Sequence, residues 1–170
     1  MRSVAYRSAS ERAVSEGWCG PVIEISELNQ WILEKRQATW NVNHPHGDAP
    51  WGIWDGILRE LSRDANRFAF AIQHGSHLCG LARGHLSGAS EVIALDYVEG
   101  SPHVDHPLKG RVIQIATGVA DAYGALAGAR LLRLMRPTQA LVEYYTGERF
   151  GFRVVNERGR DQYCEKEIEP

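Results

Sequence analysis

Apolar and polar residues alternate with two different periods along this chain, and each switch of period marks an element. Val22-Ile23-Glu24-Ile25 is a compact β-branched run, and Ser26 behind it is a candidate N-cap for a helix over Leu28 to Ala38. Trp40 to Pro50, rich in Asn, His, Gly and Pro, reads as loop. From Pro50 the apolar residues fall at Trp51, Trp54, Ile57/Leu58 and Leu61, a helical stripe with proline at a favourable start position. A β block follows. Phe68 to Ile72 is a strand, Gln73-His74-Gly75-Ser76 a hairpin turn, and His77 to Leu86 the returning partner. Ser87-Gly88-Ala89-Ser90 makes a second turn into a third strand, Glu91 to Val98, after which Glu99 to His106 is irregular. Val112, Ile115/Ala116, Val119, Ala122/Tyr123 and Leu126 mark the longest amphipathic helix, Pro107 to Ala127, closed by Gly128. The remainder reads as a strand at Leu131 to Met135, a short helix at Pro137 to Tyr145, and strands at Arg153 to Asn156 and Tyr163 to Ile168.

Hairpins in the first half imply antiparallel pairing. The strand–helix–strand unit from Glu91 to Met135 implies a parallel pair joined by a right-handed crossover. The expected fold class is α/β (α+β), a mixed, mostly antiparallel central sheet flanked by helices. Its 170 residues are ample for one core and cramped for two. Residues 21–170 are therefore expected as one domain, with 1–20 an N-terminal extension in which Ser8 to Glu16 forms a short polar helix.

Composition narrows the function classes. The chain is 44% hydrophobic and 24% charged, a globular mixture rather than a disordered one. Nineteen basic residues against 21 acidic give a net charge of −2, which disfavours nucleic acid or an anionic membrane as the main partner. No apolar run approaches the ~18 residues of a membrane span, and the N-terminus lacks the apolar core of a signal peptide. Cys19, Cys79 and Cys164 are odd in number and far apart, so a reduced, cytoplasmic protein is expected.

A parallel crossover places a ligand site at the C-terminal end of its first strand and the N-terminus of its helix. Here that point runs from Val98 to Leu108-Lys109-Gly110-Arg111-Val112. Free helix amides, a glycine and two cations suit an anionic group, each helix-end charge interaction contributing roughly 0.3–1 kcal/mol. On the strand before it, strict alternation puts Glu91, Ile93, Leu95, Tyr97 and Glu99 on one face, and Val92, Ala94, Asp96 and Val98 on the other. Asp96 is a carboxylate among apolar neighbours near the strand's C-terminal end. Seven histidines occur, but His44-Pro45-His46 near Asp48, and His103 with His106 near Asp105, lack helical i, i+4 spacing and paired cysteines. No metal is expected. Trp31, Trp51 and Trp54 are expected in the core by helical spacing, while Trp40, in a polar loop, is a candidate substrate contact.

The segment Pro107-Leu108-Lys109-Gly110-Arg111-Val112 resembles the Arg/Gln-x-x-Gly-x-Gly/Ala pyrophosphate loop of the GCN5-related N-acetyltransferase (GNAT) superfamily, with Gly110 matching and Pro107 and Val112 substituted. Arg136-Pro137-Thr138 through Tyr144-Tyr145, and then Gly151-Phe152, resembles that family's later helix start, tyrosine and Gly-Phe pair. The resemblance extends in element order over about residues 21 to 168. It implies acetyl-CoA (coenzyme A) as cosubstrate, bound by Val98, Leu108, Lys109, Gly110, Arg111, Val112 and Thr138. It further implies Tyr145 as proton donor to the departing thiolate, and an amine acceptor, either a small molecule or a protein or peptide amine. The acceptor must lose a proton, for which Asp96 is the candidate base and His85, Glu99 and His103 compete. No cysteine falls in the expected cleft segments, so direct attack in a ternary complex is expected. The alternative is a non-catalytic module of this fold that binds coenzyme A, kept open by the substitutions at Pro107 and Val112. Aminoacyl-tRNA as acceptor is disfavoured by the net charge. A homodimer is common in the family. The Glu99 to His106 segment is longer than the family's usual connection, and is expected beside the acceptor cleft as a determinant of selectivity.

Overall fold

The computed structural model describes residues 2–15, 23–40, 54, 56–147, 150–159 and 161–168. In chain order its elements are α1 (Arg2–Ser15), β1 (Ile23–Glu27), α2 (Gln30–Thr39), α3 (Ile57–Arg63), β2 (Arg67–His74), β3 (His77–Leu86), β4 (Val92–Gly100), α4 (Val112–Ala127), β5 (Leu131–Met135), α5 (Gln139–Thr146), β6 (Arg153–Val155) and β7 (Tyr163–Glu167). The strands form one seven-stranded sheet in the order β1-β2-β3-β4-β5-β7-β6, with β4–β5 its parallel pair and every other pairing antiparallel. The expected fold class is therefore the observed one.

Two apolar layers cover the sheet. On one face α4 presents Val112, Ile115, Ala116, Val119, Ala120 and Tyr123 at helical spacing to Phe68, Phe70, Ile72, Ile93 and Leu95. Val142 and Tyr145 of α5 join this cluster, as does Tyr6 of α1, whose ring lies 5.6 Å from that of Phe70. On the other face Ile32 of α2, Trp40, Trp54 and Ile57 of α3 pack on Ala69, Ala71, Leu78 and Leu81. Each fully buried large side chain contributes about 1.5–3 kcal/mol of transfer free energy, so both layers stabilise the sheet between them.

Several expectations shift. Ser26 lies inside β1, and Asn29 caps α2 instead, its side chain accepting from the Ile32 amide at 3.0 Å. Trp31 is 59% exposed rather than core, and Trp40 is 1% exposed rather than a substrate contact. The Trp40 indole donates to the Leu78 carbonyl at 3.2 Å, which satisfies its one polar atom inside the core. Trp51, Trp18, Cys19 and the His44–Asp48 group lie outside the described residues. β4 runs on through Gly100, two residues past the expected end, and α4 starts at Val112 rather than Pro107. Gly110 adopts φ +75, a left-handed conformation that stops any helix running through it.

The largest departure is in β4. Arg83 pairs with Tyr97 but Gly84 pairs with Leu95, which leaves Asp96 as an extra residue. This bulge breaks the period of two: Ile93, Leu95 and Val98 face the α4 layer, whereas Tyr97 packs against the α2–α3 layer. The strict alternation expected from the sequence therefore fails at Asp96. Gly84 makes the bulge feasible, because a Cβ there would lie 2.0 Å from the Ala94 carbonyl oxygen and 2.6 Å from the Phe68 ring.

Candidate active site

The parallel pairing of β4 with β5 covers Val92↔Leu131 to Leu95↔Leu134 and stops at the bulge. Beyond it β4 stays paired to β3 as far as Gly100, while β5 ends at Met135 and stays with β7. The two strands part, and the sheet opens where a parallel pair would otherwise close it. A cleft of about 400 Å³ fills the gap, lined by Leu95 to Val98 on one side and by Leu134 to Thr138, Leu141 and Tyr145 on the other. A second cleft of about 410 Å³ lies on the α3 side of the sheet, lined by Asp64, Arg67, Arg83, His85 and their neighbours. Asp96, Tyr97 and Arg136 line both. A reagent entering each cleft would meet the other at these three residues.

Of the expected site residues, Tyr145, Asp96, Val98 and Thr138 converge on the first cleft. Tyr145 is 6% exposed, and its ring packs on Phe150 and Phe152, both at 6.2 Å between centroids. Its hydroxyl makes no hydrogen bond among the described residues. Burial, helped by Cys164 and Tyr144, raises its pKa well above the ordinary phenol range, so the group stays protonated. Tyr144 is 40% exposed and does not line this cleft, its ring lying 5.0 Å from that of Phe150. Thr138 is the N-cap of α5, its carbonyl accepting from the amides of Leu141 and Val142, both at 2.9 Å.

Asp96 meets one of its sequence-level competitors. Its Oδ2 lies 3.0 Å from Nδ1 of His85. That hydrogen bond, and then the carboxylate's charge, raises the His85 pKa above its usual value against the opposing effect of burial. With Nδ1 committed to the carboxylate, Nε2 is the nitrogen left to exchange a proton. The other competitors are engaged elsewhere. Glu99 is buried and accepts from Arg36 Nη2 at 2.9 Å and from the Trp54 indole at 2.5 Å. His103 places Nε2 2.5 Å from the Thr39 carbonyl.

Leu108, Lys109, Gly110 and Arg111 form the turn leading into α4, with Arg111 its N-cap, and Val112 is the first helical residue. Leu108 is fully buried and anchors the turn, while Lys109 and Arg111 are exposed and form no ion pair among the described residues. The amides of Gly110, Val112 and Ile113 have no hydrogen-bond partner among the described residues, and the positive end of α4 lies at them. These donors and cations fit a pyrophosphate. A Cβ at Gly110 would meet nothing within 4 Å, so the glycine answers to its backbone conformation and not to crowding.

The long segment before this turn does not border either cleft. Ser101, His103, Val104, Asp105 and His106 instead line a separate pocket with Lys35, Thr39, Trp40 and His77. No group of three or more metal-ligating side chains able to hold an ion occurs among the described residues. A further cavity of about 650 Å³ between α4 and β7 contains none of the expected site residues. Most of its charges are paired internally, Lys166 with Asp121, and Arg153 with Glu165 at 2.8 Å.

Arg136 is the feature that sequence reasoning missed. It stands directly before Pro137, where sterics favour an extended backbone, yet its φ is +50. A non-glycine residue held there costs of order 1–3 kcal/mol and persists only where its surroundings impose it. Its amide donates to the Gln162 carbonyl at 3.0 Å, which keeps the end of β5 tied to the β7 side. The Arg-Pro step at a strand end was the available signal.

No family model and no curated protein matches this chain. Solved structures do. The N-acetyltransferase PseH of Campylobacter jejuni is 13% identical over 88% of this chain and 100% of its own, with a TM-score of 0.60. The spermidine N-acetyltransferase of Vibrio cholerae, in complex with CoA and spermine, is 12% identical over 86% of this chain and 95% of its own, with a TM-score of 0.60. The PaiA N-acetyltransferase of Thermoplasma acidophilum, in complex with coenzyme A, is 18% identical over 85% of this chain and 98% of its own, with a TM-score of 0.55. At these identities the likeness is one of fold. No described helix is long and apolar enough to cross a membrane.

Proposed function

Given a chain with the fold of the GNAT acetyltransferases, we propose that it transfers the acetyl group of acetyl-CoA to an amine by direct attack in a ternary complex. The observation that carries this reading is the opening between β4 and β5, with Asp96, Tyr97 and Arg136 shared by a cleft on each side. Two substrates can then reach one point from opposite faces, which direct transfer requires. The first cleft takes the donor, along Val98 and Thr138. The amides of Gly110, Val112 and Ile113, with Lys109 and Arg111, hold its pyrophosphate.

In the transfer the amine nitrogen bonds to the acetyl carbonyl carbon and the carbon–sulfur bond breaks. The nitrogen loses a proton and the sulfur gains one. His85 accepts the first proton at Nε2, while Asp96 fixes the ring through Nδ1 and stabilises the imidazolium. Tyr145 supplies the second, its buried hydroxyl being neutral and without a partner among the described residues.

Calorimetric titration with acetyl-CoA, followed by thiol release with a panel of amines, tests the reading. Binding with amine-dependent thiol release is the expected result. Binding with no thiol release from any amine would favour a non-catalytic module, and no binding would refute both.

A further inference from the structure

The cleft on the α3 side carries more positive than negative charge, and one of its cations has no counterion among the described residues. Its charged lining is Asp64, Arg67, Arg83, Asp96 and Arg136, with His85 beside them. Arg67 lies 3.5 Å from Asp64 and 3.4 Å from Glu60, and Arg83 lies 3.2 Å from the same Glu60. Asp96 is engaged by His85 at 3.0 Å. Arg136 is exposed and forms no ion pair and no side-chain hydrogen bond among the described residues. The strained φ of +50 holds this guanidinium at the junction of the two clefts. A polycationic acceptor would face three guanidiniums there, with the nearby carboxylates already in use.

The geometry points to an acceptor that carries a carboxylate as well as its amine, an amino-acid-like molecule whose carboxylate is held by Arg136 while its amine meets His85. The planar guanidinium fork matches a carboxylate bidentately, and a volume of about 410 Å³ suits a small molecule. This inference rests on the transfer reading above.

Thiol release measured with matched acceptors tests it: amino acids of increasing chain length, each against its carboxamide, with spermidine for comparison. The carboxylate member of the best pair should show a kcat/KM about 10- to 100-fold higher, the effect of one charge-assisted contact. R136Q should collapse that ratio toward one, and R136K should keep part of it, with the KM for acetyl-CoA unchanged in both. Gln and Lys suffer the same backbone cost as Arg at this φ, so a thermal melt should find both variants folded. Preference for the carboxamides or for spermidine would overturn the inference, as would a ratio that R136Q leaves intact. A rise only in the KM for acetyl-CoA would also overturn it, by assigning Arg136 to the donor. These outcomes all require turnover. Absence of thiol release with every amine would instead overturn the transfer reading itself, and this inference with it.

Discussion

Replacing Glu99 by Gln should destabilise the fold substantially without removing a catalytic group. Glu99 and Arg36 lie 63 residues apart, and their side chains are only 2% and 8% exposed. Nη2 of Arg36 reaches Oε1 at 2.9 Å and Oε2 at 3.1 Å, and Nε reaches Oε2 at 3.3 Å, a forked contact shut off from water. Cutting one partner out of a buried pair costs about 3–5 kcal/mol, because the remaining charge stays desolvated. Here the lower end applies. The amide oxygen of Gln can still accept from the Trp54 indole, and the Arg36 guanidinium still lies 5.5 Å from the Trp40 ring. A loss of about 3 kcal/mol in a chain of this size lowers the melting temperature by about 6–12 °C. Thermal and urea unfolding should show that drop for E99Q, and the double variant R36M/E99Q should recover most of it, since an uncharged pair no longer needs matching. Below its melting temperature E99Q should keep its rate of thiol release within a few-fold. A variant that melts within 1 °C or so of wild type would refute the energetic argument. A stable E99Q with no activity would make Glu99 a group that touches substrate, against the role assigned to His85.

Y145F should lower kcat by about 10²-fold or more with little change in the KM for acetyl-CoA, as for loss of a general acid; steady-state thiol release separates the two parameters. The pH profile of kcat/KM should rise with pH along a limb set by His85. The neutral ring is the active form, and Asp96 raises the pH at which it appears. D96N should move that limb to lower pH while lowering the maximum, and a limb that stays in place would remove His85 as the base. G84A should destabilise by about 2–4 kcal/mol in urea titration, since its methyl would meet a backbone oxygen that cannot yield without undoing the bulge; a loss under 1 kcal/mol would show the bulge is not held this way.

Legibility followed the range of the forces involved. The hairpins, the α4 stripe and the parallel crossover came through because period-two and period-3.6 burial are written locally. The α4 boundary slipped because Pro107 and Gly110 sit inside the apolar pattern but outside the helical conformation. Trp31 was misplaced because helical spacing says which residues share a face, and only packing says which face meets the sheet. Trp40 was misplaced because its polar sequence neighbours do not show that its ring turns into the core, where Leu78 accepts from its indole. Tyr145, Val98 and Thr138 were expected together by resemblance, in segments whose geometry is local, and they line one cleft.

The sequence by itself determined the order of the elements and a mostly antiparallel sheet flanked by helices. Local propensity and burial pattern suffice for those. Tertiary structure alone decided that Asp96 is the extra residue of a bulge, that β4 and β5 part beyond it, and that His85, Asp96 and Arg136 meet there. Each depends on contacts between distant segments: a glycine on β3 facing a carbonyl on β4, and a strand end tied to β7 so that Arg136 adopts a backbone conformation that its own sequence disfavours.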